Sequence, residues 1–388
     1  MDDTRILLTN NMKETSKKRN YGLDIMRCLA MIMVVILHYL GKGKVLTPLD
    51  TAAPLSARDI TAWLLEAFCI VAVNLYMLMS GYLLYKGTFK LSRLLKLVGM
   101  IWLYSVIVGS IGIALGTPVE TVDTYFKLRL LLPVSMNTYW FMKAYVLFYC
   151  LVPVLGAAAC RMDKKKLQIV ICVLLFFHCV IKSVLPVQLE NDAIGMDAMW
   201  YIVIFMVAVY IRRFVVIKSK TVFLVLYLVF SVLILGESLV IRNIFLSSGR
   251  LSHIMGISYN YNHLLTLASS VMLFIFFLNV KVPEAAGKIF AILGKYSLGV
   301  YLLHENLSIR YYWQPLLWCN KTTGVIRVIL YALIAGIIVF IAGVIINFVS
   351  SCLCGKVLNI LKKAPVFNKI SAAVERADAA FANPDGEA

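Results

Sequence analysis

The chain has 388 residues, 61% of them hydrophobic and only 15% charged, with a formal net charge of +18. Soluble domains carry nearer a quarter charged residues, so this composition excludes an ordinary soluble globular protein. The positive charge lies in short loops between apolar runs, which is the positive-inside pattern of a membrane protein rather than a nucleic-acid surface.

Apolar runs of about twenty residues match the helix length that crosses roughly 30 Å of hydrocarbon. Membrane barrel strands are about half that length and alternate in polarity, so the runs exclude a barrel. The expected fold class is therefore all-α, a polytopic membrane helical bundle of about ten transmembrane helices. Residues 1–21 form a basic N-terminal segment with Lys17, Lys18 and Arg19. It does not read as a cleavable signal, because the first apolar run carries Asp24 and Arg27 and no small-residue cleavage site follows. The expected spans are 22–41, 60–84, 95–115, 139–159, 167–185, 198–217, 221–241, 262–280, 289–307 and 325–351. Lys295, His304 and Glu305 interrupt the ninth.

Threading from a cytoplasmic N-terminus places Lys86, Lys90, Arg93 and Lys96 on the first inner loop. Arg161 and Lys164 to Lys166 fall on the next, then Arg212, Arg213, Lys218 and Lys220, then Lys281 and Lys288. Lys356, Lys362, Lys363 and Lys369 mark the tail, and the opposite loops hold the acidic Glu190, Asp192 and Asp197. Both termini are thus expected in the cytoplasm. The expected organisation is 1–21 as basic cytoplasmic N-terminus, 22–354 as transmembrane domain and 355–388 as a cytoplasmic C-terminal tail, short and weakly ordered after Lys369. No internal repeat is visible. The nine cysteines form no Cys-x-x-Cys pair and read as small apolar packing residues, with no disulfide or metal framework.

Charge at mid-bilayer is expensive, so each intramembrane ionisable group needs a reason. Arg27 and His38 are eleven residues apart, close to three helical turns, and share one face of the first helix about 16 Å apart along its axis. Asp24 lies one turn before Arg27 and is placed to pair with it. A guanidinium suits a phosphate, and an imidazole suits proton transfer near neutral pH. The same stripe also fits plain anchoring of a helix at its two interfaces. Lys143, one turn inside the fourth helix, is expected to pair with Glu66 or Glu237, or to meet cavity water. His178, His253 and His263 lack metal-ligand spacing and read as interfacial or core histidines.

The stretch Asn20-Tyr21-Gly22-Leu23-Asp24-Ile25-Met26-Arg27, running on through Val34 to His38, resembles the opening signature of the bacterial acyltransferase type 3 family. Further motifs follow in order: Ser80-Gly81-Tyr82; Tyr139-Trp140-Phe141 with Tyr149 and Pro153; and Tyr296-Ser297-Leu298-Gly299 leading to His304. The resemblance covers most of the chain. Members often carry an Arg-x-x-Arg pair on the first inner loop, where this chain has Lys90, Arg93 and Lys96, so only one guanidinium remains.

The resemblance implies a membrane-embedded O-acyltransferase that takes an acyl group, often acetyl, from cytoplasmic acyl-CoA to a hydroxyl of a surface glycan or related acceptor. It implies His38 as general base, with a covalent acyl-histidine also compatible, and Arg27, Lys90, Arg93 and Lys96 as the cofactor-binding cations. Arg27 and its partner Asp24 also join His38 in the catalytic set. Ser80, Tyr139, Trp140, His304 and Glu305 are the candidate substrate-binding residues, although Ser80 with Gly81 also suits close packing of helix two on helix one. Tyr139 and Trp140 also suit an interfacial aromatic belt. The expected partners are the acyl-CoA donor, the hydroxyl acceptor and the lipid bilayer of the plasma membrane, with no nucleic acid and no metal; a homo-oligomer stays open. A transporter of a glycan or small anion is the competing class, since ten spans with buried charges suit it as well.

Overall fold

The computed structural model describes residues 19–87, 89–185, 193–215, 221–361 and 364–382. Lys17, Lys18, Glu190, Asp192, Lys218, Lys220, Lys362 and Lys363 lie outside the described residues. The described chain is all-helical, with thirteen principal helices. They are α1 (Tyr21–Lys42), α2 (Ala57–Cys69), α3 (Ala72–Leu84), α4 (Leu91–Ala114), α5 (Thr124–Leu131), α6 (Trp140–Arg161) and α7 (Lys164–Leu175). Then come α8 (Ala198–Phe214), α9 (Thr221–Ser248), α10 (Leu264–Leu278), α11 (Glu284–His304), α12 (Val325–Leu361) and α13 (Pro365–Ala382).

Among the described residues, nine helical segments are long and apolar enough to cross a membrane. They coincide with nine of the ten expected spans; the tenth, 198–217, is α8, a helix of 17 residues whose side chains are mostly buried. At 1.5 Å per residue it reaches about 25 Å, the short end of what a crossing needs. The span 57–84 is two helices, α2 and α3, joined at Ile70 and Val71. The chain segment before α10 is not regular helix: Ser252–Ile254 and Ile257–Tyr259 are single 3₁₀ turns.

The helix α1 is the hub of the bundle, with 14 of its 22 residues buried, and it packs against α3, α11 and α12. Its start is set by Asn20, whose side chain accepts from the Gly22 amide. Close approach depends on glycine at particular crossings. A Cβ at Gly81 would stand 2.8 Å from the Ala208 Cβ, so Ser80-Gly81 brings α3 onto α8 rather than onto α1. A Cβ at Gly287 would stand 2.3 Å from the Tyr21 ring, which fixes the crossing of α11 over the start of α1.

The tail departs from the expected weakly ordered end, because α13 is an 18-residue amphipathic helix docked on α4. Its partly buried stripe, Phe367, Ser371, Val374 and Asp378, recurs at helical spacing. The Asp378 carboxylate accepts from the Ser92 hydroxyl and, at 3.2 Å, from the Ser92 amide in the first turn of α4. Phe381 meets Phe89 edge-on at 4.8 Å. The Ser92 hydroxyl is the main influence holding the Asp378 carboxyl below its usual range, so the contact persists at neutral pH and loosens on acidification. Asp378→Ala is expected to free the helix and speed tryptic cleavage at Arg376 severalfold, read by limited proteolysis of the folded protein.

Candidate active site

An elongated cavity of about 940 Å³, here called the tunnel, lies within the bundle beside α1. Arg27 and His38 both line it, joined along the wall by Met31 and Val34, so the stripe faces an open interior. At the end nearer Arg27 the lining cations are Arg27, Arg93, Lys96 and Lys295, and among the described residues no carboxylate lines the tunnel. The other wall is aromatic, with Tyr76, Trp140, Phe141, Tyr145, Tyr261 and Tyr301. Such a site attracts an anion at one end and accepts an apolar or amide-bearing chain along its length.

The Arg27 guanidinium is only loosely engaged. Its Nη1 stands 3.3 Å from Asp24 Oδ1, and its Nη2 meets the Met79 sulfur at 3.5 Å. Asp24 gives its better contacts to Arg19, at 2.7 and 2.8 Å, and lies buried behind the wall. Thus Asp24 orients Arg27 while most of the guanidinium donors stay available. The Tyr76 hydroxyl donates to the Arg27 carbonyl at 2.7 Å and ties α3 to α1 at this level.

The His38 end contains more than the expected imidazole. His38 Nδ1 lies 2.9 Å from His304 Nε2 and 3.3 Å from Glu305 Oε1. The network fixes the proton positions. His304 Nδ1 is 2.6 Å from the Val300 carbonyl, which accepts only, so Nδ1 carries the hydrogen and Nε2 accepts. His38 Nδ1 is then the donor to His304, which leaves His38 Nε2 with a free lone pair. His38 lines the tunnel, whereas His304 and Glu305 are buried behind it. An imidazole held in that tautomer, with a carboxylate at its far nitrogen, is a general base with a built-in stabiliser for its protonated form.

Glu305, just past the end of α11, is the electrostatic centre: its buried carboxylate is met by the Lys42 ammonium and lies 3.3 Å from His38 Nδ1, with Arg310 nearby. Lys42, one turn beyond His38, donates to both carboxylate oxygens. Arg310 donates to the carbonyls of Thr138 and Glu305 at 2.9 and 3.1 Å. The ligand atoms of His38, His304 and Glu305 fall within 4.8 Å of one another, a spacing that would also admit a metal ion. The cation already seated on this carboxylate is Lys42, and 2.9 Å between the two imidazoles is hydrogen-bond separation, so the set suits proton handling better.

The other candidates fall into distinct places. Ser80 lines the tunnel, with its hydroxyl donating to the Tyr76 carbonyl one turn back. Trp140 lines it too, stacked on Tyr261 at 5.7 Å. Tyr139 is fully buried away from the tunnel; its hydroxyl donates to the Leu302 carbonyl and accepts from Asn306, holding the end of α11. Lys90 sits at the start of α4, its amide donating to the Tyr149 hydroxyl, and is not part of the lining as Arg93 and Lys96 are. Lys143 makes no ion pair with Glu66 or Glu237 among the described residues; Glu237 faces His263 at 3.5 Å instead. Lys42, Lys295 and Arg310 belong to the site although their loop-like or span-breaking positions did not assign them a role. Lys42 carried one usable signal, since it follows His38 by four residues and so shares its face.

A family model described as an acyltransferase domain matches residues 20–354, nearly the whole chain. No curated protein and no solved structure matches.

Proposed function

The chain belongs to the acyltransferase type 3 family, and on that premise we propose that it moves an acyl group, most simply acetyl, from cytoplasmic acyl-CoA to a hydroxyl acceptor presented from the outer side of the plasma membrane. In this reading both termini are cytoplasmic and the basic tunnel end opens inward. The phosphates of acyl-CoA bind Arg93, Lys96 and Lys295, and Arg27 holds a phosphate or the amide-bearing arm. The thioester then lies beside His38. His38 Nε2 takes the proton of the acceptor hydroxyl as its oxygen attacks the thioester carbonyl carbon. The carbon–sulfur bond breaks, and the proton returns from His38 to the departing thiolate, giving an ester and free CoA thiol. Glu305 stabilises the imidazolium between those two transfers. The acceptor is a glycan or a related small hydroxyl compound.

The observation that carries this reading is a tunnel lined by cations at one end and, further along, by His38, whose Nδ1 is engaged by His304. The test is purified protein in proteoliposomes supplied with acetyl-CoA and a thiol-reactive dye. Slow thiol release that accelerates with a hydroxyl acceptor is expected; no release with any acceptor class sinks the proposal. Arg27→Ala is expected to raise the KM for acetyl-CoA by about ten- to a hundredfold, the size of a hydrogen bond to a charged group, with a smaller effect on kcat. Arg27→Lys should recover part of that loss, because it restores charge without the fork. Steady-state kinetics in donor concentration read both.

A further inference from the structure

A second polar cluster lies across the tunnel wall from the acyl site, between α2, α9 and the irregular stretch that precedes α10. Glu66 Oε2 and Glu237 Oε2 are buried without a hydrogen-bond partner. The same is true of Ser258 Oγ and of both ring nitrogens of His263, on residues that are 0% and 1% exposed. His263 Nε2 faces Glu237 Oε1 at 3.5 Å. Tyr259 joins the groups, since its hydroxyl donates at 3.2 Å to the carbonyl of Trp63, three residues before Glu66 on α2. Tyr261, on the same irregular stretch as Ser258 and His263, lines the tunnel with its ring stacked on Trp140, so this stretch borders both the cluster and the acyl site.

The backbone supplies an independent observation. The helix α10 has 15 residues, about 22 Å, too short for a crossing of roughly 30 Å. Residues 252–263 complete that crossing as single 3₁₀ turns. Irregular backbone at membrane depth persists only where it is buried in protein or lines water. Unpartnered carboxylate, hydroxyl and imidazole groups on either side of such a stretch are costly unless water or a ligand meets them.

We infer that this cluster is the seat of the acyl acceptor, a vestibule open to the outer leaflet that takes a hydroxyl-rich ligand without fixed negative charge, a sugar or polyol, and passes its reactive hydroxyl by Tyr261 to His38. The orphan atoms are mainly acceptors, which match a ligand rich in O–H donors. The Glu237 carboxylate, partly exposed, repels a polyanion, so phosphate- or uronate-bearing polymers are disfavoured. The inference rests on the acyltransferase reading for the direction of transfer.

The test is cysteine accessibility in proteoliposomes, using methanethiosulfonates that cannot cross the bilayer, against the wild-type background of native cysteines. Such reagents attack only thiols in water, so a lipid-facing position stays silent. Glu66→Cys is expected to label from outside, with the cationic trimethylammonioethyl reagent about tenfold faster than the anionic sulfonatoethyl one, as in a cleft of one charge sign. Adding Glu237→Gln should remove that preference while labelling persists. Glu237→Cys, whose native side chain is 29% exposed, is the second probe should the first variant misfold. Maltotriose in solution or glucosyl diacylglycerol in the bilayer should slow labelling, and whichever protects identifies a soluble or a lipid-linked source. No labelling above background in monodisperse variants, equal rates with both reagents, or no protection by either probe overturns the inference. Thiol release by the wild-type protein reads the acyltransferase proposal separately, so the two fail independently.

Discussion

Replacing His38 by alanine is expected to lower acyl transfer by about a hundred- to ten-thousand-fold, the usual worth of a positioned general base. The effect should fall on kcat, because the donor-binding cations sit at the far end of the tunnel and do not touch the imidazole. His38→Gln is the more telling variant. Its amide can still donate towards His304 Nε2 and Glu305, so packing and hydrogen bonding at the α1–α11 contact survive, yet it has no basic nitrogen to present to the tunnel. Equal loss of kcat in the alanine and glutamine variants, with acetyl-CoA binding unchanged by calorimetry, identifies the missing element as the proton acceptor. Retained turnover in His38→Gln would show that the ring serves only to shape the wall.

What sequence reasoning reached, it reached where geometry is local. Arg27 and His38 share a face because both lie on one helix, whose period dictates their alignment, and both line the tunnel. The spans were legible for the same reason, since length and hydropathy act residue by residue. The role of His304 and Glu305 was not legible in that way. They were visible as ionisable residues and assigned to acceptor contact, but they meet His38 from 266 and 267 positions away, through a helix–helix crossing that periodicity does not encode. The docking of α13 was hidden likewise, because its anchor is Ser92 on a distant helix. Tyr139 and Trp140 are adjacent in sequence, yet one ring is sealed inside and the other lines the tunnel, a difference set by where α6 begins.

Glu305→Gln is expected to damage both stability and catalysis, and the two effects are separable. Removing one partner of a buried ion pair typically costs about 3–5 kcal/mol, because the remaining charge keeps its desolvation penalty without its compensation. Here the stranded cation is the Lys42 ammonium, with Arg310 beside it. Adding Lys42→Met removes that cation and should restore most of the melting temperature. Turnover should stay low in both variants, on the order of a hundredfold or more below wild type, because neither has a carboxylate at His38 Nδ1 to stabilise the imidazolium. Recovery of turnover together with stability in the double variant would reduce Glu305 to a partner of Lys42.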